Sequence, residues 1–79
     1  MKPLILLGRP GCHLCEEFLA DLLQAFPLMA ERVTQANVDD NPDWHLVYGV
    51  RIPVLLSAEG EVLAEGRFSP DKLRALPEA

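Results

Sequence analysis

Cys12 and Cys15 are the only thiols in the chain and stand in a C-x-x-C spacing within Gly8-Arg9-Pro10-Gly11-Cys12-His13-Leu14-Cys15. Two thiols so placed can close a small disulfide ring or hold one side of a metal ion, and in an intracellular chain near a β-α-β pattern the redox reading is favoured. As a staple the pair is weak, because the entropy a disulfide removes from the unfolded chain grows with the loop it closes, and this ring is very short. It suits a reagent better. One local pair and no other cysteine in 79 residues fits a reducing compartment, whereas secreted domains of this size usually carry several bridges.

The two sulfurs should be unequal. A helix beginning at about Gly11 or Cys12 sets unsatisfied N–H groups and the positive dipole end beside the first sulfur, which favours thiolate over thiol. Cys12 is thus the expected nucleophile. Cys15, one turn on, shares an apolar stripe with Phe18, Leu19 and Leu22, which makes it the expected inward-facing, resolving thiol. Attack by Cys12 on a disulfide forms a mixed disulfide that Cys15 releases by closing the ring. Cysteines in such motifs have pKa values of roughly 3.5 to 7.5, against about 8.5 when free. Arg9 should favour the thiolate and Glu16 and Glu17 oppose it. The helix end and Arg9 are expected to win, since solvated glutamates are screened while backbone N–H groups can bond the sulfur directly. His13 could add to this when protonated, or simply be an exposed residue between the cysteines.

These residues need a frame. Leu4 to Leu7 is a continuous apolar run closed by Gly8, as in a central strand buried on both faces. Pro10 and Gly11 carry turn chemistry. Cys15, Phe18, Leu19, Leu22, Leu23 and Phe26 then recur at helical period, with Glu16, Glu17, Asp21 and Gln24 off the stripe, until Pro27 halts the pattern. Arg32 to Val38 is the next extended segment. Asn41-Pro42 reads as cap and first residue of a short helix ending near Tyr48-Gly49, with glycine as a left-handed stop. Pro53–Ser57 and Glu61–Glu65 form a hairpin about a glycine turn. Ser69-Pro70-Asp71 opens a last helix with Leu73 and Leu76 on its apolar side. The order is β-α-β-α-β-β-α, in one domain over residues 1–79, with no linker or repeat.

Composition narrows the function. Seven basic against twelve acidic residues give a net charge of −5, which disfavours nucleic-acid backbones and anionic membranes. The apolar run at the N-terminus is too short for a signal peptide or a membrane span. The expectation is a soluble, cytoplasmic, monomeric protein.

The stretch from Gly8 to Cys15 after a strand resembles the active-site loop of glutaredoxins and of the wider thioredoxin-like superfamily. Tyr48-Gly49-Val50-Arg51-Ile52-Pro53-Val54-Leu55-Leu56 is similar to the segment that carries the superfamily's cis-proline. The closest resemblance is to short bacterial glutaredoxin-like proteins with Arg-Pro-Gly-Cys-His-Leu-Cys-Glu. It implies a thioredoxin-like α/β fold with a four-stranded mixed sheet flanked by helices, and thiol–disulfide exchange through Cys12 and Cys15. It also implies a cis Pro53 that packs against the cysteines and presents backbone to an extended substrate, with Arg9, His13, Ile52, Pro53 and Gly66 on the substrate side. No cofactor is implied. The substrate would be a disulfide in a protein or small molecule, and the reductant glutathione or thioredoxin reductase. Arg9 matches a basic position that can meet a glutathione carboxylate, whereas Gly66-Arg67 replaces the Gly-Gly of glutathione-binding members and the following acid is displaced. Between the cysteines, His13-Leu14 replaces the usual Pro-Tyr, which should shift the redox poise.

Two other functions compete. Cys12 and Cys15 could ligate zinc or an iron–sulfur cluster, with His13 or His45 or a second subunit completing the shell, although the chain has no second C-x-x-C or C-x-x-H. The chain could also be a binding module that keeps the fold without turnover, using Trp44, His45 and Tyr48; for Tyr48, packing is the favoured reading. Asp39-Asp40 is expected to cap a helix or face water. Gly8 to Gly11 is no phosphate loop, lacking the Gly-Lys-Ser/Thr that would follow.

Overall fold

The alternation in Leu4-Ile5-Leu6-Leu7 decides the architecture. In the computed structural model, which describes residues 2–70, this run is strand β1 (Leu4–Gly8), and its successive side chains enter two different cores. Leu4 and Leu6 join Phe18, Leu22, Met29, Leu55 and Ala64 on one face. Leu7 joins Val38, Val54 and Leu56 on the other, with Ile5, Ala36, Trp44, Tyr48 and Ile52 packed around them. A strand buried on both sides has no polar face to show, which is why its sequence is continuously apolar.

Helix α1 (His13–Ala25) covers the first face, burying Cys15, Phe18 and Leu22. Leu19, Leu23 and Phe26 are partly buried along the same side. Full burial of a leucine or phenylalanine side chain contributes about 1.5–3 kcal/mol, so Phe18 and Leu22 anchor the helix to the sheet. Phe68 closes the end of this core, edge-on to Phe18 at 5.6 Å between centroids. Pro27 ends the α-helix and opens a short 3-10 turn, Pro27–Glu31, whose Met29 is buried.

Strand β2 (Val33–Asn37) follows, then a 3-10 turn (Val38–Asp40) and helix α2 (Pro42–Tyr48) on the second face. Asn41 caps α2 as its sequence suggests, its side chain accepting from the amides of Asp43 and Trp44, with Pro42 in the first turn. The expected left-handed stop at Gly49 is corrected: φ is −54° and ψ −34°, ordinary right-handed values. Glycine suits this position because a Cβ there would lie 2.5 Å from the His45 carbonyl oxygen.

Strands β3 (Val54–Leu56) and β4 (Val62–Glu65) form the hairpin. Ser57 Oγ accepts from the amides of Glu59 and Glu61, and Gly60 takes φ +88° at the turn. The sheet order is β2-β1-β3-β4, with β1 parallel to β2 and antiparallel to β3, a four-stranded mixed sheet flanked by helices. The expected last helix falls mainly on residues outside those described. Among the described residues, no helix is long and apolar enough to cross a membrane.

Candidate active site

Cys12 and Cys15 lie where β1 hands over to α1. Gly11 takes φ +81°, a left-handed value that glycine adopts without steric cost, and turns the chain into the helix. Helix α1 begins at His13, just after the expected start at Gly11 or Cys12: Cys12 is extended, at φ −80° and ψ 104°, and serves as the N-cap. Its Sγ accepts from the Cys15 amide at 3.2 Å, satisfying one of the donors that every helix start leaves open. The two cysteines form a disulfide, with Cα atoms 5.3 Å apart. Cys15 is 9% exposed, while Cys12 is only half-buried. That difference follows from position: Cys15 lies on the stripe facing the sheet, Cys12 at the mouth. Gly8 gives Cys15 its room, since a Cβ at residue 8 would meet Cys15 Cβ and Sγ at 3.2 Å.

The structure places the other candidate residues around this turn. Arg9 and both cysteines line one cavity of about 520 Å³, walled by Leu19, Leu23 and Ala36. Gly66 lies on the opposite flank of α1, in a cavity of about 420 Å³ shared with Leu14 and Arg67. His13 is exposed, 3.7 Å from the Glu16 carboxylate. The Ile52–Pro53 peptide bond is cis and Pro53 is fully buried. Leu7 pairs with Val54, so continuing the antiparallel register sets Pro53 across from Gly8, at the cysteine end of the sheet. The Pro53 carbonyl accepts from the Gly66 amide at 2.8 Å. Gly66 itself takes φ +73°. Arg51 steadies the approach to Pro53 with two hydrogen bonds to Glu65, 2.8 and 2.9 Å, and lies 5.1 Å over the Tyr48 ring.

Asp39, expected to cap a helix or face water, is exposed but also holds an ion pair that the sequence reading missed. Arg9 Nε and Nη2 donate to its two carboxylate oxygens at 2.8 and 2.9 Å, and His45 Nδ1 sits 2.7 Å from Oδ1. The Arg9 hydrogen bonds first, and the His45 contact second, hold the Asp39 carboxyl well below the usual carboxylate range. The same pair raises Arg9 above its ordinary value. Asn37 prepares the position by accepting from the Asp39 amide at 2.9 Å. The signal was in the topology. Gly8 and Asn37 are register partners in the parallel β1–β2 pair, so the residues just after each strand emerge side by side. Trp44 and Tyr48 pack on the second core. Among the described residues, no three His, Cys, Asp or Glu side chains gather as a metal site.

A family model for the glutaredoxin-like domain (DUF836) matches residues 3–76. The chain belongs to that family. Its fold is similar to the solution structure of protein Ne2328 from Nitrosomonas europaea, with a TM-score of 0.80 and 32% identity over 94% of this chain and 88% of that one. It is also similar to the crystal structure of protein XcR50 from X. campestris, with a TM-score of 0.71 and 33% identity over 91% of each chain. No curated protein matches it. The glutaredoxin-like assignment and the Cys12–Cys15 disulfide agree in pointing to redox chemistry.

Proposed function

We propose that this glutaredoxin-like domain is a thiol–disulfide oxidoreductase in which Cys12 is the nucleophile and Cys15 the resolving thiol. The observation that carries this reading is the asymmetry of the pair: Cys12 is half-buried and caps α1, while Cys15 is 9% exposed behind it. The Cys15 amide that donates to Cys12 Sγ would equally stabilise a thiolate there.

In the reduced protein, the Cys12 thiolate attacks one sulfur of a substrate disulfide. A Cys12–substrate S–S bond forms, the substrate S–S bond breaks, and one half leaves as a thiolate that takes a proton. Cys15, losing its own proton, then attacks Cys12 Sγ, and the second half leaves as a thiol. The substrate disulfide is reduced by two electrons and the protein dithiol is oxidised to the Cys12–Cys15 ring. Glutathione or a dithiol reductase would return those electrons. Arg9, His13, Ile52, Pro53 and Gly66 form the substrate side of this reading, which is supported by the cis Ile52–Pro53 bond and the Gly66 bond to the Pro53 carbonyl. The reducing compartment favoured by one local cysteine pair, the cytoplasm, belongs to the same proposal.

Turnover of bis(2-hydroxyethyl) disulfide tests it, with glutathione and thioredoxin reductase compared as reductants. The wild type should turn over and Cys12→Ser should not, while Cys15→Ser should accumulate a mixed disulfide detectable by mass. Equal rates for the wild type and Cys12→Ser would leave the chain a binding module.

A further inference from the structure

The Cys12 amide donates to the Arg9 carbonyl at 3.0 Å, and the two residues line the same cavity. Arg9, which carries a positive charge, thus lines the same surface as Cys12. That charge is not available as a mobile cation. Nε and Nη2 are both committed to Asp39, in the two-pronged geometry that guanidinium and carboxylate planes share. His45 Nδ1 contacts the same carboxylate, at Oδ1. Apart from Glu16, the remaining wall of the cavity, including Leu19, Ala20, Leu23 and Ala36, is uncharged.

We propose that Asp39 sets the charge class of substrate this site accepts: by clamping Arg9 it cancels the guanidinium charge beside Cys12, and so favours disulfides with uncharged flanking groups over carboxylate-bearing ones. The inference rests on the exchange reading above and names its substrate class. Asp39 acts through Arg9, as a positioning residue.

Alkylation of the reduced protein tests this without requiring turnover. Iodoacetate and iodoacetamide react alike with a thiolate: a C–S bond forms, the C–I bond breaks and iodide leaves. The ratio of their rates at Cys12, resolved by peptide mass, cancels the thiolate fraction and reports the charge each reagent meets. Asp39→Asn should raise the iodoacetate/iodoacetamide ratio about two- to fivefold at low ionic strength, the scale of one unit charge within a Debye length, and high salt should shrink the gain. Asp39→Glu should keep the wild-type ratio, and Arg9→Gln combined with Asp39→Asn should return close to it. Oxidised glutathione should gain over bis(2-hydroxyethyl) disulfide in the same order. An unchanged ratio in Asp39→Asn, or a gain that persists without Arg9, overturns the proposal. Should Asp39→Asn not fold, Arg9→Gln alone decides: the ratio should drop below the wild type, and an unchanged one overturns the proposal. Wild-type turnover with an unmoved ratio sinks the charge assignment alone, while a moved ratio without turnover sinks the exchange reading alone.

Discussion

Cys12 does two jobs that one pair of substitutions can separate. As N-cap of α1 it accepts a hydrogen bond from the Cys15 amide at 3.2 Å, and as the less buried sulfur it is the proposed nucleophile. Cys12→Ala removes both roles and leaves that amide without its side-chain partner. Losing an N-cap acceptor costs about 0.5–2 kcal/mol, typically ~1. For a chain of 79 residues, each kcal/mol moves Tm by about 4–8 °C. Cys12→Ser removes the nucleophile yet supplies a hydroxyl oxygen, among the best N-cap acceptors. Measured by thermal and urea unfolding with excess reductant, Cys12→Ala should therefore melt about 4–8 °C below the reduced wild type and Cys12→Ser within a few degrees of it. Both should lack turnover. Equal midpoints for the two variants would show that the sulfur does not cap the helix, and the reasoning that places unsatisfied N–H groups at Cys12 would fall with them.

The packing, the acid response and the turn at residue 66 can be tested in parallel. Leu22 is fully buried between α1 and the sheet, so Leu22→Ala should cost about 2–5 kcal/mol in urea unfolding. That is a large share of a total stability of about 4–12 kcal/mol for a chain this size. The depressed folded-state value of Asp39 implies stabilisation that is present above the ordinary carboxylate range and lost as pH falls toward that folded value. Asp39→Asn should consequently flatten part of the wild-type loss of stability in acid, below about pH 4; an identical acid profile would count against the Arg9–Asp39 pair. Gly66 holds φ +73° while its amide bonds the Pro53 carbonyl, so Gly66→Ala should lose about 1–2 kcal/mol by the same assay.

Local chemistry made much of this protein legible without coordinates. The run Leu4 to Leu7 announces a strand buried on both faces, and the stripe from Cys15 to Phe26 announces the face that α1 buries. Asn41-Pro42 declares a helix start and Gly60 a hairpin turn, because capping and turn geometry depend on only a few adjacent residues. Gly49 shows the limit of such rules. A glycine after a helix usually marks a left-handed stop, yet here it answers crowding against the His45 carbonyl, a steric fact of the particular packing.

The unequal burial of the two sulfurs was likewise legible, since one helical turn separates a capping position from a buried one. What surrounds them was not. Arg9 and Asp39 are 30 residues apart, far beyond the spacing at which charges on one helix or turn meet. They pair because β1 and β2 run parallel, with Gly8 beside Asn37, so both chains leave the sheet at the same end. Arg51 meets Glu65 for a related reason, the register of β3 with β4. Periodicity and caps are properties of short segments and can be read along the chain. The charge beside Cys12 depends on strand order and register, which arise only when the strands pair into the sheet.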